Sequence, residues 1–76
     1  MNAETYDILR MAMFGCESLS AWSEEELADK EGFIEWAIRD SEVLADFPDY
    51  TETEVRIMLE EVFDREMARY REEAEE

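Results

Sequence analysis

The chain has 76 residues, 46% of them hydrophobic, with 23 Asp and Glu against 7 Lys and Arg, one cysteine and no histidine. That length allows one domain with a marginal core, while two Trp, three Tyr and four Phe exclude the composition of a disordered acidic tail. A formal net charge of −16 opposes contact with nucleic acid or anionic membrane and favours strongly basic surfaces.

No apolar run approaches about 18 residues and no basic-then-apolar leader is present, so neither a membrane span nor a signal peptide is expected. A lone thiol, Cys16, allows no internal disulfide and suits a reducing cytoplasm.

In chain order, residues 3–14 read as a first helix. Asn2 is placed to cap it and Gly15 to end it in the left-handed conformation. Tyr6, Leu9, Ala12 and Met13 share one face, with Cys16 just beyond it. Met11 and Phe14 lie off that face, which leaves two readings: burial on two sides, or an exposed adhesive patch. A short connection over 16–23 carries Ser18, Ser20 and Ser23. In Trp22-Ser23-Glu24-Glu25-Glu26-Leu27 the order aromatic, cap, two residues, Glu, aliphatic marks a helix start. The serine and the third glutamate satisfy each other's free N–H groups, and the flanking apolar pair staples the entry.

From Glu24 to about Phe47 the pattern is helical but interrupted. Gly32 is expected to end a short helix near Lys30. Phe33, Ile34, Ala37 and Ile38 then form a compact apolar face with Trp36 beside it, and Asp40 or Ser41 is placed to cap a further turn holding Val43, Leu44 and Phe47. Pro48 closes this segment, because the residue before a proline avoids helix.

The longest element starts at Thr51, which with Glu54 repeats the capping box, Tyr50 and Val55 being the staple. Val55, Met58, Leu59, Val62, Phe63 and Tyr70 form its apolar stripe. At roughly 100° per residue, Glu60, Glu61 and Asp64 point the other way. Glu52–Arg56, Glu61–Arg65 and Arg69–Glu73 are spaced for i,i+4 pairing. Ile57 breaks the polar side and Glu66 the apolar side, so the helix is expected to outrun its core after about Phe63. Residues 71–76 lack an apolar stripe and are expected to fray. No stretch alternates as a strand would. The expectation is one all-α domain over 1–76: a small bundle of three main helices, the second interrupted near Gly32, with a long C-terminal helix.

The sequence carries no catalytic motif. Without histidine, the Glu-x-x-His pairs of di-iron bundles cannot form. Asp46, Asp49, Glu52 and Glu54 surround a turn but lack the order of a calcium loop. Gly15 and Gly32 are isolated, so there is no phosphate loop. Cys16 has no histidine partner and follows an apolar face, which favours packing over nucleophilic work. Neither an enzyme, a metal nor a cofactor is expected. The seven basic residues are scattered and mostly matched by an i,i+4 acid, so direct nucleic-acid binding is not expected either.

The charge remains to be accounted for. A surplus of 16 acids destabilises a compact chain at ordinary ionic strength, so salt or a partner should offset it. Adaptation to a salty cytoplasm would suit a single lysine, but fits less well with 17 Glu against 6 Asp and a full set of large apolar residues. Duplex DNA carries one charge per about 1.7 Å of axis, and helical rows of carboxylates at about 5.4 Å per turn approach that density when several face the same way. The rows are Glu24, Glu25, Asp29 and Glu31; Glu35, Asp40, Glu42, Asp46 and Asp49; and Glu52, Glu60, Glu61 and Asp64.

In size, helicity and charge the whole chain resembles the small acidic DNA-mimic inhibitors of phages and mobile elements, the anti-restriction and anti-CRISPR proteins. That resemblance implies an inhibitor that fills the basic groove of a nuclease, restriction enzyme or CRISPR effector. SEEEL (Ser23–Leu27) and DYTETE (Asp49–Glu54) are similar to capping segments of colicin nuclease immunity proteins, another acidic helical group. They occur here in the opposite order and without that family's tyrosine-pair turn, which marks shared capping chemistry and not membership. The alternative expectation is an acidic interaction module, antitoxin-like or a regulatory subunit, that binds a basic or apolar protein surface through Met11, Phe14 and Ile57. Monomer and homodimer are equally compatible with the sequence.

Overall fold

In a computed structural model of the protein, which describes residues 2–15 and 17–74, every regular element is helical. The helices are α1 (Ala3–Phe14), α2 (Glu24–Ala28), α3 (Lys30–Asp40), α4 (Val43–Asp46) and α5 (Glu52–Ala74), with a single 3₁₀ turn at Leu19–Ala21. The all-α bundle with a long last helix is therefore as expected from the sequence. Cys16, for which packing was expected, lies outside the described residues, as do residues 75 and 76.

Local chemistry sets most of the boundaries. The Asn2 side chain accepts from the Thr5 N–H at 2.8 Å, and Gly15 donates its own N–H to the Met11 carbonyl at 3.0 Å. Gly15 takes φ 64° with ψ −143°, beyond the left-handed helical region expected for it and in territory that only glycine enters freely. Both capping boxes form. Ser23 Oγ accepts from the Glu26 N–H at 3.1 Å while the Ser23 N–H donates to Glu26 Oε1 at 3.3 Å; the Thr51–Glu54 pair repeats this at 3.2 and 3.0 Å. The ring of Tyr50 lies edge-on to Phe47, centroids 5.9 Å apart.

The interruption near Gly32 sits three residues earlier. Asp29 ends α2 and caps α3, accepting from the Gly32 N–H at 3.2 Å. Gly32 thus belongs to the first turn of α3, where a side chain would collide with the Asp29 carboxylate. Replacing an interior helical glycine by alanine ordinarily gains about 1 kcal/mol, but here it displaces a cap worth a similar amount. Gly32→Ala is expected to change stability by less than about 0.5 kcal/mol in chemical denaturation; the full propensity gain would show that the Asp29 cap contributes nothing.

Neither Asp40 nor Ser41 caps the next turn. Ser41 ends α3, its hydroxyl donating to the Ala37 carbonyl, and Glu42 enters α4 in the left-handed conformation, φ 55°, with no side-chain cap. A non-glycine residue there costs about 1–2 kcal/mol; the turn it makes leads into α4, where Val43 is buried.

α1 packs on α5, α3 and α4, and α3 packs on α5. The core is Leu9, Met13, Phe14, Leu19, Leu27, Phe33, Ile34, Ala37, Val43, Phe47, Val55, Leu59, Val62 and Phe63. The two readings of α1 resolve residue by residue: Phe14 is 1% exposed and Met11 51% exposed. Phe14 is a core residue, which removes it from the side chains available to a partner. α5 also stays packed beyond Phe63, correcting the expected end of its core. Glu66 is 4% exposed, and Met67 and Tyr70 lie partly buried against the core. The helix continues through Ala74. At about 1.5 Å per residue, α5 runs along most of the molecule's longest dimension, 40 Å.

Candidate acidic interface

Among the described residues Glu66 is the one buried charge, and its partners arrive from α1. Glu66 Oε1 accepts from the Tyr6 hydroxyl at 2.8 Å and faces Arg10 Nε at 3.2 Å. A carboxylate on the apolar side of α5 is stable because both neighbours satisfy it. Burial, then the hydrogen bond to Glu66 and its negative charge, raise the Tyr6 phenol from 10.0 to about 12, against smaller opposing effects of Arg65 and Arg10. A raised phenol stabilises the fold fully below pH 10, and that contribution is lost as pH climbs through 12. Phenolate absorbance should therefore show a late step near pH 12 that disappears in Tyr6→Phe. A wild-type titration with nothing beyond the ordinary range would contradict this placement.

The outer surface belongs to the carboxylates. All thirteen expected contact residues, Glu24, Glu25, Asp29, Glu31, Glu35, Asp40, Glu42, Asp46, Asp49, Glu52, Glu60, Glu61 and Asp64, are exposed. They are spread over α2, α3, α4, α5 and the intervening turns, and not gathered on one helix face. Their roles differ. Asp29 is a helix cap. Asp64 bonds Lys30 of α3 through both oxygens, at 3.0 and 3.1 Å. Glu35, Glu52 and Glu61 face Arg39, Arg56 and Arg65 at 3.7, 4.0 and 3.0 Å. Exposed pairs of this kind contribute about 0–1 kcal/mol each, so they trim the negative field more than they stabilise the fold. Of the thirteen, Glu24, Glu25, Glu31, Asp40, Glu42, Asp46, Asp49 and Glu60 are left as open charges, and the exposed Glu4, Asp7, Glu17, Glu26, Glu54 and Glu72 add to the same field.

Along the long axis, 16 net charges over 40 Å amount to one per about 2.5 Å, against one per about 1.7 Å for duplex DNA. Ile57 is 61% exposed. Helical spacing surrounds it with Glu54, Glu60 and Glu61, one turn to either side, which makes the outward face of α5 acidic with an apolar centre. Among the described residues no group of three or more Asp, Glu or Cys side chains converges as metal ligands would, and no helix is long and apolar enough to cross a membrane.

No protein-family model, curated protein or solved structure matches this chain. Two arrangements were not legible in the sequence. One is Lys30–Asp64, which joins helices 34 residues apart. The other is a cleft between α2 and α3 lined by Trp22, Phe33 and Trp36 with Glu25, Glu26 and Asp29. Trp36 beside the apolar face of Phe33, Ile34, Ala37 and Ile38 was the available signal for the cleft.

Proposed function

We propose that this protein is an inhibitor that occupies the basic nucleic-acid groove of a host defence complex, a CRISPR effector, restriction enzyme or nuclease, by presenting a DNA-like density of fixed negative charge. The observation that carries the reading is the linear charge density, within a factor of two of duplex DNA and borne by exposed carboxylates on four helices and the turns between them. A polyanion fixed on a folded scaffold attracts a basic groove over long range and loses little entropy on docking. On this reading the protein is not an enzyme, binds no nucleic acid itself, needs no cofactor and acts in the cytoplasm of the host cell. Competition tests it: the protein should displace duplex DNA from its target, less effectively as salt rises.

The exposed Ile57 supports a second reading, an acidic interaction module, antitoxin-like or regulatory, that grips a basic or apolar surface without imitating DNA. An apolar residue at the centre of a carboxylate ring resembles an interface core with a polar rim. Ile57→Ser separates the two. It leaves a DNA mimic's affinity nearly unchanged, because charge carries that binding, and it weakens a module whose contact centres on α5.

A further inference from the structure

Trp22 and Trp36 are the chain's two tryptophans, and both line one cleft of about 490 Å³ between α2 and α3. With Phe33 they form a closed set of ring contacts: Trp22–Phe33 at 5.2 Å, Phe33–Trp36 at 5.9 Å and Trp22–Trp36 at 6.1 Å, with planes tilted 66–72°. Mutually tilted rings offer faces in several directions, and a ring face attracts a cation within about 6 Å of its centre. Trp36 remains 45% exposed, so one ring of the set is open to a partner. The polar lining is of one sign, Glu25, Glu26 and Asp29, and no basic side chain contributes to it. Aromatic rings and carboxylates in one lining complement a planar, weakly hydrated cation better than a compact ammonium.

We infer that this cleft receives an arginine side chain from the basic protein partner, its guanidinium stacking on the tryptophan rings and pairing with Glu25 or Glu26. The inference rests on the reading of this protein as a docking surface for a basic partner, and adds the residue type that anchors the contact. Arginine and tryptophan are also the side chains that most often concentrate binding energy at the centre of an interface.

Because both tryptophans border the cleft, intrinsic fluorescence reports its occupancy directly. The probes are oligo-arginine and oligo-lysine peptides of equal length and charge, titrated at fixed ionic strength. The arginine peptide should bind about two- to fivefold more tightly and shift or quench the tryptophan emission as it saturates. That preference should vanish in Trp36→Ala, whose integrity is checked by helical circular dichroism, while both peptides keep their salt-dependent binding. Glu25→Gln retains every ring and alters no cap, so it supplies a second variant in which the arginine peptide loses more affinity than the lysine peptide. Equal affinities with unchanged emission, or an arginine preference that survives in folded Trp36→Ala, overturn the cleft and leave the acidic docking surface standing. Absence of salt-dependent binding by either peptide overturns the docking surface, and the inference with it.

Discussion

Phe14→Ala is expected to lose about 3–5 kcal/mol of folding stability, most of what a domain of this size possesses. Phe14 is buried where three helices meet. Its ring lies 5.2 Å from Phe33 of α3 and 6.0 Å from Phe63 of α5, and those two rings are 5.7 Å apart. Truncation removes two aromatic contacts of about 0.5–1.5 kcal/mol each and leaves a void where α1, α3 and α5 meet. In thermal denaturation each kcal/mol is worth about 4–8 °C at this length, so the midpoint should fall by well over 10 °C or the cooperative transition should disappear. A loss under about 1 kcal/mol would mean that the three-ring junction is not what joins α1 to the rest. The net charge of −16 adds a signature. Self-repulsion opposes folding and is screened by salt, so the damaged variant should recover part of its stability as ionic strength rises.

The second large effect concerns binding. Reversing Glu60, Glu61 and Asp64 together to lysine changes the local charge of α5 by six units while touching no core residue; all three are exposed. Two ion pairs are lost, Asp64 with Lys30 and Glu61 with Arg65, each worth at most about 1 kcal/mol at such exposure. Helical content should persist. Affinity for the target should fall roughly ten- to a hundredfold, mainly through slower association, because distributed charges act on the encounter rate. Dissociation dominated by the loss, with association unchanged, would point to a contact organised around Ile57 instead.

Elements whose causes are local were legible in the sequence. Asn2, Ser23–Glu26 and Thr51–Glu54 act within one helical turn, so residue types and spacing alone locate them, and the structure has all three. The stripe of Val55, Leu59, Val62 and Phe63 is buried as its period requires. What failed depends on tertiary partners or on competition between neighbours. Gly32 looked like a terminator because glycine is a poor helix former, yet Asp29 uses its open side as room for a cap. Ser41 was a candidate cap for α4 and instead closes α3. Glu66 seemed to mark the end of the core, since no local rule indicates that Tyr6 and Arg10 sit 60 and 56 positions away in the chain with matching donors. For the candidate site, exposure of the thirteen carboxylates followed from composition and period. Their division into paired acids, a cap and open charges needed the packing of α3 on α5. The tryptophan cleft needed the turn at Asp29 that sets α2 against α3.

On the proposed reading, fixed negative charge lets this bundle take the place of DNA in a basic groove. The measurement that tests it most directly is equilibrium competition between this protein and duplex DNA for one target, repeated across a salt series. Mutually exclusive binding is expected, with the logarithm of the affinity for this protein falling linearly in log salt as DNA's does. A ternary complex of target, DNA and this protein, formed without mutual weakening, would contradict it.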